Sequence, residues 1–293
     1  MRHTSITVLL RSAAALAAIG PLAAQQTAIP EGFTRQDQLR GAVTPEREWW
    51  DVLHYDLSLE IFPEQKSIAG ANVIEFKALQ AGRRMQIDLQ PPLAITRVTH
   101  GDAELEFERK GNVYWVDFPS EVAAGTEDRI VIAYEGRPRQ STRPPWSGGF
   151  SWRKDDRGNP FIATTCQGIG ASIWWPNKDH GYDEPDRGMD MRIAVPDELT
   201  AVSNGRLLST EPNADGATRT FHWRVVNPIN NYGVNVNVGN YVSIDSVYDG
   251  EGGKLDVQYW VLEHQREQAS KQFAEVPRTL AAFEHWFGKY PFY

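Results

Sequence analysis

Seven histidines, one cysteine and a short acidic run are the side chains of this chain best suited to chemistry. The histidines are His3, His54, His100, His180, His222, His264 and His285. A catalytic zinc commonly takes two histidines one helical turn apart, so that both rings face the ion. No histidine here has a partner three or four residues away, and no H-E-x-x-H occurs. His180 lies between Asp179 and Asp183, a mixed cluster of ligand-type residues. A polar run of that kind reads as a solvated turn sooner than as a metal site. No complete zinc site is expected within these residues.

Covalent and acid-base chemistry are no better served. Cys166 lacks a motif that fixes a base beside it and is expected to be buried and inert. Ser172 and Ser203 do not sit in a G-x-S-x-G elbow. Asp183, Glu184 and Asp186 are too close in sequence to flank a substrate. Asp183 is expected to shape a turn by accepting nearby amides, with Pro185 fixing the backbone after Glu184. Gly168 and Gly170 are not a phosphate loop; they read as places where the backbone passes close to something.

Most of these residues share one stretch, Thr164 to Asp186. It is too polar and too rich in Gly and Pro for a regular element, yet it carries Trp174 and Trp175. Such a loop is usually a binding loop held by a rigid scaffold.

The scaffold reads as β. Tyr55, Leu57, Leu59 and Ile61 alternate with Asp56, Ser58 and Glu60, the pattern of a half-buried strand. The pattern recurs near 71–78, 85–89, 93–98, 113–118 and 130–134, then in 189–195, 221–225 and 234–238. Gly101-Asp102, Gly111-Asn112 and Gly125 punctuate it. Short strands with frequent turns predict an all-β, antiparallel saddle or sandwich of sheets over 47–249. Residues 25–46 read as a linker. From Leu255 a further strand is expected. Ala269, Phe273, Val276, Leu280, Phe283 and Phe287 then mark one face of a helix, which Pro277 must kink or restart and Gly288 should stop. A strand and an apolar-faced helix cannot close a core, so 250–293 are expected to open another domain.

Arg2 and His3, an apolar run from Ser12 to Ala24, and small residues before Gln25 resemble a signal peptide over 1–24. An exported protein, periplasmic or extracellular, is the expectation. The single cysteine excludes an internal disulfide. No stretch is long and apolar enough for a membrane span. The formal charge of −8 argues against nucleic acid as a partner.

The order and spacing of Cys166-Gln167, Trp175-Pro176 and Asp183-Glu184-Pro185 resemble the N-terminal domain of the aminopeptidase N family of zinc metallopeptidases, which includes the leukotriene hydrolases. The resemblance extends loosely from Trp49 to Tyr293. It implies that the β domain packs on a thermolysin-like zinc domain, whose strand and helix would begin in 250–293. It also implies that Gln167 binds the α-amine of the substrate's first residue. Cys166, Gly168, Trp175, Pro176, Asp183, Glu184 and Pro185 would support the loop. A side-chain carbonyl can accept from an amine, and burial makes a mismatch costly. The alternative role for Gln167 is to brace its loop.

The family's G-x-M-E-N motif, zinc ligands and catalytic tyrosine are not found among these residues. Zinc is therefore implied as cofactor of the intact family enzyme and not of this chain, which alone should be inactive. Its partners would be peptide N-termini and the catalytic domain. A different reading keeps the fold without the enzyme: a secreted β-sandwich that serves as a binding or scaffold domain.

Overall fold

The computed structural model describes residues 32–292. The signal-peptide expectation for 1–24 lies outside the described residues.

Two short helices come first, where a linker is expected. Helix α1 spans Arg35–Gly41 and α2 spans Pro45–Glu48. Thr34 and Asp37 form a reciprocal capping box at the start of α1. Leu39 is fully buried with Val113 and Trp115, so this segment is anchored to the sheet. At four and seven residues the helices are too short to show a hydrophobic period in sequence.

Alternation then becomes sheet. The strands are β1 (Trp50–Phe62), β2 (Ser67–Ala78), β3 (Gly82–Asp88), β4 (Ala94–His100), β5 (Ala103–Glu104) and β6 (Glu106–Lys110). They continue as β7 (Val113–Val122), β8 (Glu127–Gly136), β9 (Gly149–Lys154), β10 (Pro160–Thr165), β11 (Met189–Pro196) and β12 (Thr200–Ser203). The last are β13 (Arg206–Pro212), β14 (Thr218–Val225), β15 (Val236–Gly239), β16 (Tyr241–Gly250) and β17 (Gly253–Leu262).

An eight-stranded sheet runs in the order β13-β14-β11-β1-β2-β8-β4-β5. A three-stranded sheet, β3-β7-β6, and a four-stranded sheet, β12-β15-β10-β9, share its core. Pairing is antiparallel except between β1 and β11, which run parallel from Tyr55↔Met189 to Glu60↔Ala194. The expected all-β saddle or sandwich is what forms.

Side-chain alternation decides the faces. On β1, Tyr55, Leu57, Leu59 and Ile61 are buried, while Ser58 is exposed. Phe76 meets Trp49, Trp50 and Phe118 edge-on at 5.8–6.1 Å. Burying such a side chain is worth about 1.5–3 kcal/mol, so these rings dominate the sheet-to-sheet contact.

The C-terminal part is a hairpin followed by two helices. The expected domain boundary at 249–250 falls in the turn of a hairpin: β16 and β17 pair with each other from Tyr241↔Leu262 to Gly250↔Gly253. Of the two outcomes expected at Pro277, a restart is what forms: α3 (Arg266–Phe273) is followed by α4 (Val276–Phe287), with Pro277 in the first turn of α4. Gly288, at φ +82°, ends α4. Phe273 stacks on Tyr259 at 4.4 Å, which fixes α3 to the hairpin. Along α4, Val276 and Leu280 are half-buried, whereas Phe283, Trp286 and Phe287 are 57, 76 and 83% exposed. Glu284 is buried instead, because Tyr248 Oη at 2.6 Å and the Glu251 amide at 3.2 Å donate to its carboxylate. Among the described residues, no helix is long and apolar enough to cross a membrane.

Candidate functional site

The loop after β10 is short and held from several sides. Ile169 N and Gly170 N both donate to Cys166 O, closing a tight turn. Gly168 and Gly170 take φ values of +77° and +87°, which a glycine adopts without strain. Arg40 Nη2 donates to Gly168 O at 2.9 Å, and Gln90 Nε2 donates to Ile169 O at 2.5 Å. Gly148 N donates to Gln167 O at 2.9 Å. Gly170 lies against Asp179: a Cβ there would stand 2.4 Å from Asp179 Oδ2. The expected close approach of backbone is therefore real at Gly170. At Gly168 nothing lies within 4 Å of a built Cβ, so there only the backbone turn calls for glycine.

Gln167 is the exposed side chain this bracing presents. Its Oε1 accepts from Tyr232 Oη at 2.6 Å. Cys166, next to it, faces inward and is buried. Burial, with the charge of Asp179 adding to it, pushes its thiol up to about 12. Such a thiol is not a nucleophile at neutral pH.

The segment that follows is the platform. Trp174 and Trp175 are fully buried, and Tyr55 packs edge-on against Trp175 at 5.0 Å. Pro176 O accepts from the buried Asn72 amide at 2.8 Å. Asn177 forms a bridge with Asp88 at the end of β3.

Residues 52–232 match the family model described as the Peptidase M1 N-terminal domain. The chain belongs to this family. Among solved structures it is similar to the M1 zinc metallopeptidase from Deinococcus radiodurans, with a TM-score of 0.68 and 18% identity over 84% of this chain and 55% of that one. A mutant of that peptidase bound to a Tyr-Ser-Ala substrate matches with a TM-score of 0.67 and 19% identity, again over 84% and 55%. This chain thus spans about half the length of those neighbours. No curated protein matches it. The expected family and the expected all-β architecture are those of the M1 N-terminal domain.

Beneath the loop, this M1 domain carries a buried charge network that the sequence does not announce. Lys178 is sealed from solvent and donates to Trp50 O and to Asp183 Oδ2, the latter at 2.5 Å. Its ammonium also stands 4.4 Å from the Trp50 ring and 4.8 Å from the Tyr182 ring. Burial pushes the Lys178 amine down, against the pull of Asp183. Arg47 and Asp88 form a second sealed pair at 2.6 Å. Burial raises the Asp88 carboxyl, against Arg47. Asp88 also accepts from Gln86 and from the Asp179 amide. Asp179 in turn accepts from the amides of Ala171 and Ser172 and from the Ser172 hydroxyl. Asp51 lies partly buried beside Asp183; burial first, then the charges of Asp183 and Asp186, raise its carboxyl to about 6.

Asp183 is therefore an ion-pair partner, not a local turn former. It also accepts from the Val52 amide on β1 at 3.3 Å and is hydrogen-bonded to the Asp51 carboxyl. Glu184 and Pro185 lie on the connection back into the large sheet, where the Asp186 and Arg187 amides donate to the carbonyls of Val52 and Leu53.

The zinc that M1 peptidases carry does not fit these side chains. Asp179 and Asp183 are committed to amides, a hydroxyl and an ammonium, and His180 Nδ1 accepts from the Tyr182 amide. Among the described residues, no group of three His, Cys, Asp or Glu could hold a metal.

Sequence reasoning missed Tyr232, Lys178 and Arg47. Lys178 and Arg47 carried a usable signal only in being charged residues beside tryptophans; Tyr232 carried only the Asn230-Asn231 turn before it.

Proposed function

We propose that this chain is the N-terminal, amine-recognising part of an exported zinc aminopeptidase, with Gln167 as the residue that accepts from the substrate's α-amine. The observation that carries this reading is the placement of Gln167. It is exposed at the tip of a turn braced by Arg40, Gln90 and Gly148, in the M1 N-terminal domain. A rigid loop keeps a recognition group in place without an ordering cost on binding. Membership of the M1 family supports a peptide substrate, and the Deinococcus peptidase is recorded with Tyr-Ser-Ala bound.

In this reading hydrolysis belongs to a zinc domain outside these residues, and the present chain supplies one wall of the first subsite. When bound in that domain, zinc would activate water and polarise the scissile carbonyl. Residues 1–24 act as the export signal, which places the protein in the periplasm or outside the cell.

The test is direct. The chain should bind Tyr-Ser-Ala more tightly than its N-acetylated form, and added zinc should produce no hydrolysis. Equal binding of both peptides would defeat amine recognition. Zinc-dependent hydrolysis by this chain would defeat the division of labour. Sequencing the gene beyond the Tyr293 codon should reveal H-E-x-x-H in frame, and mass spectrometry of exported protein should show an N-terminus at Gln25.

A further inference from the structure

Tyr232 and Gln167 lie 65 positions apart, yet the Tyr232 hydroxyl donates to Gln167 Oε1 at 2.6 Å. Tyr232 is itself held. It sits in a single 3-10 turn, Asn231–Gly233, whose preceding residue Asn230 accepts from the Tyr232 amide at 3.0 Å. Asn231 is buried and donates to Lys178 O at 2.8 Å. Tyr232 is thus tied to the Trp174–Lys178 platform from which the Gln167 turn also rises. The two side chains are the exposed ends of two separately anchored turns, with Tyr232 50% exposed.

An exposed glutamine has much rotamer freedom, and its amide can present either oxygen or NH2 to a ligand. The two ends have opposite consequences for an ammonium. An ammonium only donates, so the oxygen attracts it and the NH2 repels it. A phenol donates more strongly than it accepts, so it favours the orientation that turns Oε1 toward it. It leaves the second lone pair of Oε1 open and sets the phenol oxygen's own lone pairs beside it. A phenol donor also polarises the carbonyl it bonds, which strengthens the next bond that carbonyl accepts.

Resting on the amine-recognition reading above, we propose that Tyr232 is the positioning residue of this site. It holds the Gln167 carbonyl as an ammonium acceptor, and so sets the preference for a free α-amine over an acylated one.

The experiment compares the full chain with Tyr232→Phe and Gln167→Ala. Each is titrated with Tyr-Ser-Ala and with N-acetyl-Tyr-Ser-Ala, and the backbone amide shifts of Gly168 and Gly170 report binding. Tyr232→Phe keeps the ring and removes one hydroxyl from a half-exposed side chain, so the fold should persist, as the remaining amide spectrum will report. Loss of one neutral hydrogen bond should lower the free-amine preference roughly fivefold. Gln167→Ala should abolish the preference. If Tyr232→Phe leaves the preference intact while Gln167→Ala abolishes it, Tyr232 is no positioning residue and amine recognition by Gln167 stands. If Gln167→Ala changes nothing, or the wild-type chain shows no preference, the underlying reading falls. A ligand-free readout then still judges the Tyr232 contact. The Gln167 side-chain NH2 resonances should show one ordered conformer in the wild type and averaged rotamers in Tyr232→Phe; identical spectra would overturn it.

Discussion

Lys178 Nζ lies 2.5 Å from Asp183 Oδ2 with both side chains sealed from solvent, 0 and 1% exposed. The pair joins the end of the tryptophan platform to the Asp183-Glu184-Pro185 connection, and through Trp50 O to the start of β1. Two buried charges in a low-dielectric interior are tolerable only together.

Removing one partner strands the other. Asp183→Ala and Lys178→Met should each destabilise the fold by about 3–5 kcal/mol, whereas the double replacement Lys178→Met with Asp183→Leu should cost far less than the sum. Urea unfolding of the three variants measures this. Additive losses would mean that the pair is not coupled.

Asp51 predicts a pH dependence. Its carboxyl is raised from 3.8 to about 6, chiefly by burial. A raised folded value means that the folded state keeps a proton the unfolded state has released. The contribution to stability is full below the ordinary value and is lost as pH rises through about 6. Asp51→Asn cannot ionise. Its melting temperature relative to wild type should therefore climb between pH 4 and 6 and level off above. A difference that stays flat across that window would contradict the partial burial of Asp51 beside Asp183.

Cys166 should be silent until the loop opens. With its thiol buried and pushed up to about 12, it should resist Ellman's reagent at pH 8 in the native protein and react at once in denaturant. Rapid native reaction would show that the 166–170 turn is not closed in solution.

The outer face of α4 makes the opposite prediction to a core helix. Phe283→Glu and Phe287→Glu should change stability by no more than about 0.5 kcal/mol, since both rings are exposed. Glu284→Ala should cost more, because it leaves the Tyr248 hydroxyl and the Glu251 amide without this acceptor. Thermal melts of the three variants rank them.

Much of the β framework is legible in sequence because strand periodicity is local. Tyr55, Leu57, Leu59 and Ile61 declare their face by alternation alone, and all four are buried. The Gln167 turn is legible in part: the close backbone approach expected at Gly168 and Gly170 is met at Gly170 alone, and Gly168 is called for by its φ of +77° instead. Helices α1 and α2 are not, because so few residues cannot display a helical period.

What the sequence determined by itself is therefore which residues alternate, where the chain turns, and that the chain resembles the family whose M1 N-terminal domain it carries. Tertiary structure alone decided the partners. The parallel β1–β11 pairing, the seat of Lys178 on Trp50 O, and the reach of Tyr232 to Gln167 all join residues that local pattern cannot relate. The burial of Glu284 on α4 has the same cause. Its spacing marks an apolar stripe, but the donors at Tyr248 and Glu251 reward burial of Glu284, and those donors lie on a hairpin that periodicity within the helix cannot see.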